Sequence, residues 1–244
     1  AAPSQFVSAR QRRADATFDN TQHMDGATSA HTDATVWNAG GTVAVTSAAV
    51  GNGGTAELRG SNVEINSTQL AHGDAHASVN FTGGNATDAA TSASASGNVA
   101  AVSAQDSEVR FISNQESTGS INAAIQADHG AVSGQVVSGA VASANNLTVG
   151  SETATILTDT RQTATGDSVN ASVDVYAGYA TDVSGNAAAN ANAVTIDNQW
   201  GYVNSRVDQS STANVNADSY VTLGGEFAGF ASSGAYGVGN QAIV

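Results

Sequence analysis

A glutamine returns at Gln22, Gln69, Gln115, Gln162 and Gln209, at intervals of 47, 46, 47 and 47 residues. Four residues after each stands Gly26, Gly73, Gly119, Gly166 or Ala213. A second landmark, a small residue followed by asparagine, recurs at Gly51-Asn52, Gly97-Asn98, Ala144-Asn145, Ala191-Asn192 and Gly239-Asn240. From the asparagine to the next glutamine the distance is 17 residues in all four cases. Composition bias does not hold a spacing so constant. Self-similarity at a fixed period of roughly 20–50 residues marks a stacked architecture, in which each unit buries its apolar face only against its neighbours. Five such units of 47 residues run from about residue 18 to the end, and residues 1–17 read as a leader or an N-terminal cap.

The two landmarks look like versions of each other. Merged, the small residues at 26, 51, 73, 97, 119, 144, 166, 191, 213 and 239 are separated by alternating gaps of 22 to 26 residues. The expectation is therefore an all-β solenoid of about ten coils, roughly 23 residues each, two to a 47-residue unit. At about 4.8 Å per coil it would form a rod of roughly 50 Å.

Each landmark reads as a corner, at Gly26, Gly51, Gly73-Asp74, Gly97-Asn98, Gly119, Asn145, Gly166-Asp167, Asn192, Asn214 and Gly239-Asn240. Glycine takes a left-handed backbone without steric cost, and Asn or Asp bonds neighbouring backbone, so left-handed corners are expected here. Between corners "AHASVNF", "SVNASVDVY", "NVEINS" and "EVRFIS" alternate small or apolar with polar residues, the period of a half-buried strand. Repeated Asn and Gln would bond along the stack as polar ladders.

Composition agrees with a thin core. Hydrophobic residues reach 41%, much of it Ala and Val, while aromatics are 5% and charged residues 11%. Disordered chains carry more charge and proline than this chain, which has a single proline. A net charge of −14 with no lysine argues against a nucleic-acid partner, which needs a basic face for phosphate. The absence of cysteine removes disulfides and thiolate metal sites. No apolar run approaches the roughly 18 residues of a membrane-spanning helix. The opening "AAPSQF" resembles a mature end left after signal-peptide removal, so export is expected. The close, "GVGNQAIV", follows directly on a corner. Such an edge invites another strand, either from a longer chain or from a partner docking there.

No catalytic set emerges. The 21 acids are scattered, with no cluster of the kind a polysaccharide lyase or glycosidase needs. The pair His72 and His76 in "HGDAH" falls on one side of a strand but lacks further ligands, and His23, His31 and His129 sit at other positions of their units. No cofactor and no metal is expected. The calcium-binding nonapeptide is missing, and sequon matches such as "NST" are unremarkable in a chain so rich in Asn, Ser and Thr. The aromatics Trp37, Trp200, Phe81, Phe111, Tyr176, Tyr179, Tyr202 and Tyr220 read as local core filling at corners rather than a sugar-stacking row, because their offsets differ between units. The segment "EFAGFASSGAYG" is richer in aromatics, consistent with a partner or cap.

Aligned on these anchors, Gln69…Gly73-Asp74 and Gly97-Asn98…Gln115 resemble curlin-type repeats in part. The phrases "QTATGDSVNASVDVYAG" and "TSAAVGNGGTAELRGSNVEINSTQ" are closer to the holdfast anchor proteins of stalked alphaproteobacteria. That resemblance implies an exported, outer-membrane-associated cell-surface protein that fastens an adhesive polysaccharide to the bacterial envelope. The partners it implies are sister anchor proteins, a curlin-like subunit and a secretion-associated lipoprotein, and it brings no catalytic residues. Two other functions fit the repeat less closely, a functional-amyloid fibre subunit and a β-helical polysaccharide-active enzyme.

Overall fold

The computed structural model describes residues 5–12, 15–225 and 229–244; the "AAPS" start, Arg13 and the Glu226-Phe227 part of the aromatic-rich segment lie outside them. Sixteen strands and no helix make up the described residues. The first turn of the coil consists of β2 (Ala16–Met24), β3 (Thr28–Asn38) and β4 (Val43–Arg59). The second is β5 (Asn62–Ala71), β6 (Ala75–Ala86) and β7 (Ala89–Gln105), and the third β8 (Glu108–Ser117), β9 (Ile121–Val132) and β10 (Gln135–Glu152). Next come β11 (Thr155–Ala164), β12 (Ser168–Tyr179) and β13 (Asp182–Gln199), then β14 (Tyr202–Ser211), β15 (Asn214–Leu223) and β16 (Phe230–Ile243). The segment ahead of residue 18 also supplies β1 (Gln5–Arg12), which pairs with the second half of β4.

Like strands stack on like strands, all parallel. Sheet A is β1-β4-β7-β10-β13-β16, sheet B is β14-β11-β8-β5-β2, and sheet C is β15-β12-β9-β6-β3. The chain is thus an all-β solenoid. The coil, however, is twice as long as the sub-repeat suggests. Gln69 lies opposite Gln22 on one side and Gln115 on the other, and Asn98 lies between Asn52 and Asn145. One turn is therefore the whole 47-residue unit, made of three strands, and five turns replace the ten of about 23 residues. Six strands at ordinary spacing span about 24 Å, half the expected rod.

The reason lies in the long strands of sheet A. In β7 the inward residues are Ala89, Thr91, Ala93, Ala95 and Gly97, then Asn98, Ala100, Val102 and Ala104. Two consecutive residues face inward at Gly97-Asn98, so the strand bends and its inward phase switches. The first half of each long strand packs on sheet C, where Ala75, Ala77 and Val79 meet Ala89, Ala93 and Ala95. The second half packs on sheet B, where Val63, Ile65, Val109 and Phe111 meet Ala100, Val102 and Leu147. The cross-section has two apolar lobes joined at a waist. Gly51, Gly97 and Gly239, with Asn98, Asn145, Asn192 and Asn240, therefore lie inside strands of sheet A, at the bend, rather than at turns between strands.

Gly26, Gly73-Asp74, Gly119 and Gly166-Asp167 do mark turns, between sheets B and C, and Asn214 opens β15 just beyond the fifth. Their glycines are not left-handed as expected: among described glycines only Gly60 has a positive φ, 58°. The constraint is instead crowding between turns of the coil. A Cβ on Gly73 would strike the carbonyl of Gly26, one on Gly119 that of Gly73, and one on Gly166 that of Gly119. The left-handed backbone occurs at a different corner, from sheet A to sheet B, at Gly60 (58°), Asp106 (49°), Thr153 (53°) and Trp200 (62°). The bonding of Asp74 also runs between coils, since its Oδ1 accepts from the backbone N–H of Ser120 at 2.8 Å.

A Cβ at the Gly73 corner collides with backbone, which has no rotamer with which to yield. Gly73→Ala should therefore already cost about 1–3 kcal/mol, with Gly73→Val costing at least as much, as measured by denaturant unfolding. His129, 1% exposed at the end of the first core, stacks on Phe81 with ring centroids 4.9 Å apart. Burial pushes its pKa down from 6.5 to about 4, with the Asp128 charge offsetting part of the fall. Between those values the unfolded chain binds more protons than the folded one, so stability is lost as pH falls from about 6.5 to 4. The loss attributable to His129 is about 3 kcal/mol, and His129→Leu should flatten the unfolding free energy by that amount across the window.

Candidate functional site

At the waist, sheet B ends in glutamine and sheet A bends at asparagine, and both side chains point inward between the two apolar lobes. Gln22, Gln69, Gln115 and Gln162 are buried, as are Asn52, Asn98, Asn145 and Asn192. A carboxamide nitrogen has two hydrogens to donate. One follows the stack. Gln69 donates to Gln22 Oε1 at 2.7 Å, and Gln115, Gln162 and Gln209 each donate to the preceding glutamine at 2.8 Å. The other crosses the waist. Gln22 donates to the Gly53 carbonyl at 2.9 Å, Gln69 to Val99 at 3.0 Å, Gln115 to Asn146 at 3.1 Å, and Gln162 to Ala193 at 2.9 Å.

The asparagines do the reverse. Asn52 donates to Asn98 Oδ1, Asn98 to Asn145, Asn145 to Asn192 and Asn192 to Asn240, at 2.7–2.8 Å. Their second hydrogens reach the carbonyls of Leu70, Glu116, Thr163 and Ser210, each just after a ladder glutamine. The glutamine ladder thus donates towards the N-terminal end and the asparagine ladder towards the C-terminal end. Their dipoles oppose, and between them they bolt sheets A and B together at every turn.

The waist also explains the glycine before Asn52 and before Asn98, whereas Ala144 and Ala191 carry a Cβ at that place and Gly239 has open space around it. A Cβ on Gly97 would stand 2.7 Å from the Ala144 carbonyl and 2.9 Å from Ser117 Oγ, and one on Gly51 would stand 2.6 Å from the Gly97 carbonyl. Close approach is needed on both sides of the waist, at the glycine corner and at the sheet-A bend. One physical requirement therefore prints a similar signature twice per turn, and that produced the apparent 23-residue coil.

None of these amides can transfer a proton or attack a bond at ordinary pH. The charged groups lie outside. Arg10 pairs with Glu57 at 3.0 Å and Arg110 with Glu64 at 3.4 Å, on the surface. The two histidines of "HGDAH" part company. His76 sits on β6, whereas His72 stands at the corner beside His23 and Asp25 of the previous turn. His31 bonds Ser78 and Asp33.

The aromatics need the larger correction. Phe81 and Phe111 fill the lobes, but Trp37 (70% exposed), Trp200 (87%) and Tyr220 (64%) project outward, and Tyr176, Tyr179 and Tyr202 are exposed as well. They are not corner filler. Inward positions are already taken by the stacked small residues, so a bulky ring is accommodated only where a lobe widens or on the outside. Trp200 occupies the left-handed corner, two residues from exposed Tyr202. The signal for this corner was faint in the chain, because Gly60, Asp106, Thr153 and Trp200 share a position but no chemistry.

Residues 1–244, the whole chain, match the family described as holdfast attachment protein D. No curated protein and no solved structure matches.

The ladders make a sharp prediction. Gln115→Leu removes the acceptor for Gln162 and the donor for Gln69, both buried, and the donor for the part-buried Asn146 carbonyl. At about 1–3 kcal/mol per stranded group, it should cost at least about 3 kcal/mol in denaturant unfolding. Its exposed neighbour Asn114 should tolerate alanine within about 0.5 kcal/mol.

Proposed function

Because the chain belongs to the holdfast attachment protein D family, we propose that it is an exported structural protein that anchors an adhesive polysaccharide to the outer envelope of the bacterium. The observation that carries this reading is the family match over residues 1–244. The architecture supports it. A closed, in-register stack with two buried amide ladders is suited to act as a rigid spacer. A rod that holds a load needs interactions that act together, and every turn here is tied to its neighbours along three sheets and two ladders.

The polysaccharide is assigned to the outward aromatics of the C-terminal turns. Trp200 and Tyr202 offer flat apolar faces of the kind on which the apolar side of a sugar ring stacks. Sister anchor proteins, a curlin-like subunit and a lipoprotein at the outer membrane, are the partners this role calls for. The sheet edges formed by β14, β15 and β16 are a surface on which such a partner could add strands.

A second reading, an amyloid-like fibre subunit, is favoured by one observation: the parallel in-register pairing with amide ladders is the arrangement that cross-β fibres propagate. Electron micrographs of the purified protein separate short rods from fibres.

Trp200→Gly tests the first reading in both directions. It should stabilise the fold by about 1 kcal/mol by relieving the left-handed residue, while cells carrying it together with Tyr202→Ala should lose adhesive under shear. Cells lacking the gene that nevertheless keep their adhesive as firmly as wild type would refute the anchoring role.

A further inference from the structure

The corner between sheets B and C carries a group of side chains that neither the ladders nor the attachment reading uses. His23 is the last residue but one of β2, Asp25 stands two residues on, and His72 occupies the position of Asp25 in the next turn, 47 residues later. Three donor atoms converge. His23 Nε2 lies 3.0 Å from His72 Nδ1 and 2.9 Å from Asp25 Oδ1, and His72 Nδ1 lies 3.3 Å from the same carboxylate oxygen. The two ring planes stand at 89° to each other with centroids 4.8 Å apart.

We propose that His23, Asp25 and His72 form a binding site for a late first-row divalent cation, with Zn²⁺ as its representative, that staples the first turn of the coil to the second. The geometry suits it. Zinc bonds imidazole nitrogen and carboxylate oxygen at about 2.0–2.2 Å, which places tetrahedral ligand atoms about 3.4 Å apart. The observed triangle is within about half an ångström of that on every side, and an ion can stand just outside its plane with the fourth position open to water. Two imidazoles and one carboxylate are the donor set for zinc and its neighbours, not for magnesium or calcium, which take oxygen ligands.

Two features make the site more than a meeting of exposed side chains. Its backbone is held, because the N–H groups of His72 and Gly73 both donate to the Met24 carbonyl, at 2.8 and 3.2 Å, and Met24 lies between His23 and Asp25. It also has an outer layer. With Nδ1 of His72 on the metal, Nε2 faces the Glu116 carboxylate of the third turn at 4.0 Å. That separation is too long for a hydrogen bond, so the carboxylate acts on the imidazole by its charge alone. The site thus draws on three consecutive turns and depends on their register.

Isothermal titration of the full chain with ZnCl₂ at neutral pH should show one site per molecule, and zinc should raise the melting temperature while excess MgCl₂ does not. His23→Ala and His72→Ala, both at exposed positions, should each weaken zinc binding by more than about tenfold and abolish the thermal shift, and Glu116→Gln should weaken binding less than either. His31→Ala and His76→Ala are outside the site and should bind as wild type does. Circular dichroism of each variant without metal reports whether the fold is intact, so loss of the site is distinguished from loss of the protein. Undiminished zinc binding in folded His72→Ala and His23→Ala, or no stoichiometric binding by wild type, would overturn the proposal.

Discussion

Every strand of this molecule is satisfied by a residue about 47 positions away. A single turn would leave the N–H and C=O groups of three strands facing water above and below, and no local interaction compensates for that. The fold therefore exists only as a stack, and each column of residues along it shares one environment. A position that is inward in one turn is inward in all. That is why Ala49, Ala95, Ala142 and Ala189 lie over one another in the first lobe while Ile65 and Phe111 pair in the second. The lobes are thin because two sheets converge on a waist, and small side chains are what thin lobes admit.

The waist itself is polar, which is unusual for the middle of a molecule and is tolerated because each ladder amide bonds both along and across the stack. The arrangement also sets register. Shifting a strand by one residue would turn its inward side chains outward, and here it would drop a carboxamide into an apolar lobe while leaving a carbonyl at the waist unpaired. Opposed ladders carry the same lesson in electrostatic terms, because two parallel rows of amide dipoles aligned the same way would repel. Buried polar networks of this kind stabilise most when complete; this one runs through all five turns and leaves one buried acceptor unpaired, Asn52 Oδ1 at the N-terminal end of the asparagine ladder.

What repeats lies inside, and what differs lies outside. The glutamines, asparagines and glycines face the waist and recur, whereas Trp37, Trp200, Tyr220 and the His23–Asp25–His72 group are exposed and occur once. An attachment protein built on a solenoid has this division available to it: the interior holds the load, and single outward residues choose what is held. The proposed zinc staple joins the first turn to the second and the proposed sugar contact lies at the passage from the fourth turn to the fifth, so each would act on its own part of the rod.

The five-unit architecture, the strand alternation, the glutamine and asparagine ladders and the family likeness were all legible in the chain, because each leaves a column of equal residues at equal spacing. The length of the coil was not legible, because the Gly73 corner and the Gly97-Asn98 bend answer to the same crowding and so look alike. The left-handed corner was hidden for the opposite reason, since Gly60, Asp106, Thr153 and Trp200 share a backbone angle and nothing else. The His23–Asp25–His72 group was out of reach as well: His72 and His76 stand close in the chain, yet His72 finds its partners one whole turn earlier. By itself, then, the sequence determined that this protein must stack and that its strands alternate, since periodicity is a property of the chain, but it did not place the rings of Trp37, Trp200 and Tyr220 outside. Only the tertiary structure decided how much chain closes one turn and which outward residues meet, because those depend on which strand lies over which, and a distance of 47 residues has no local signal.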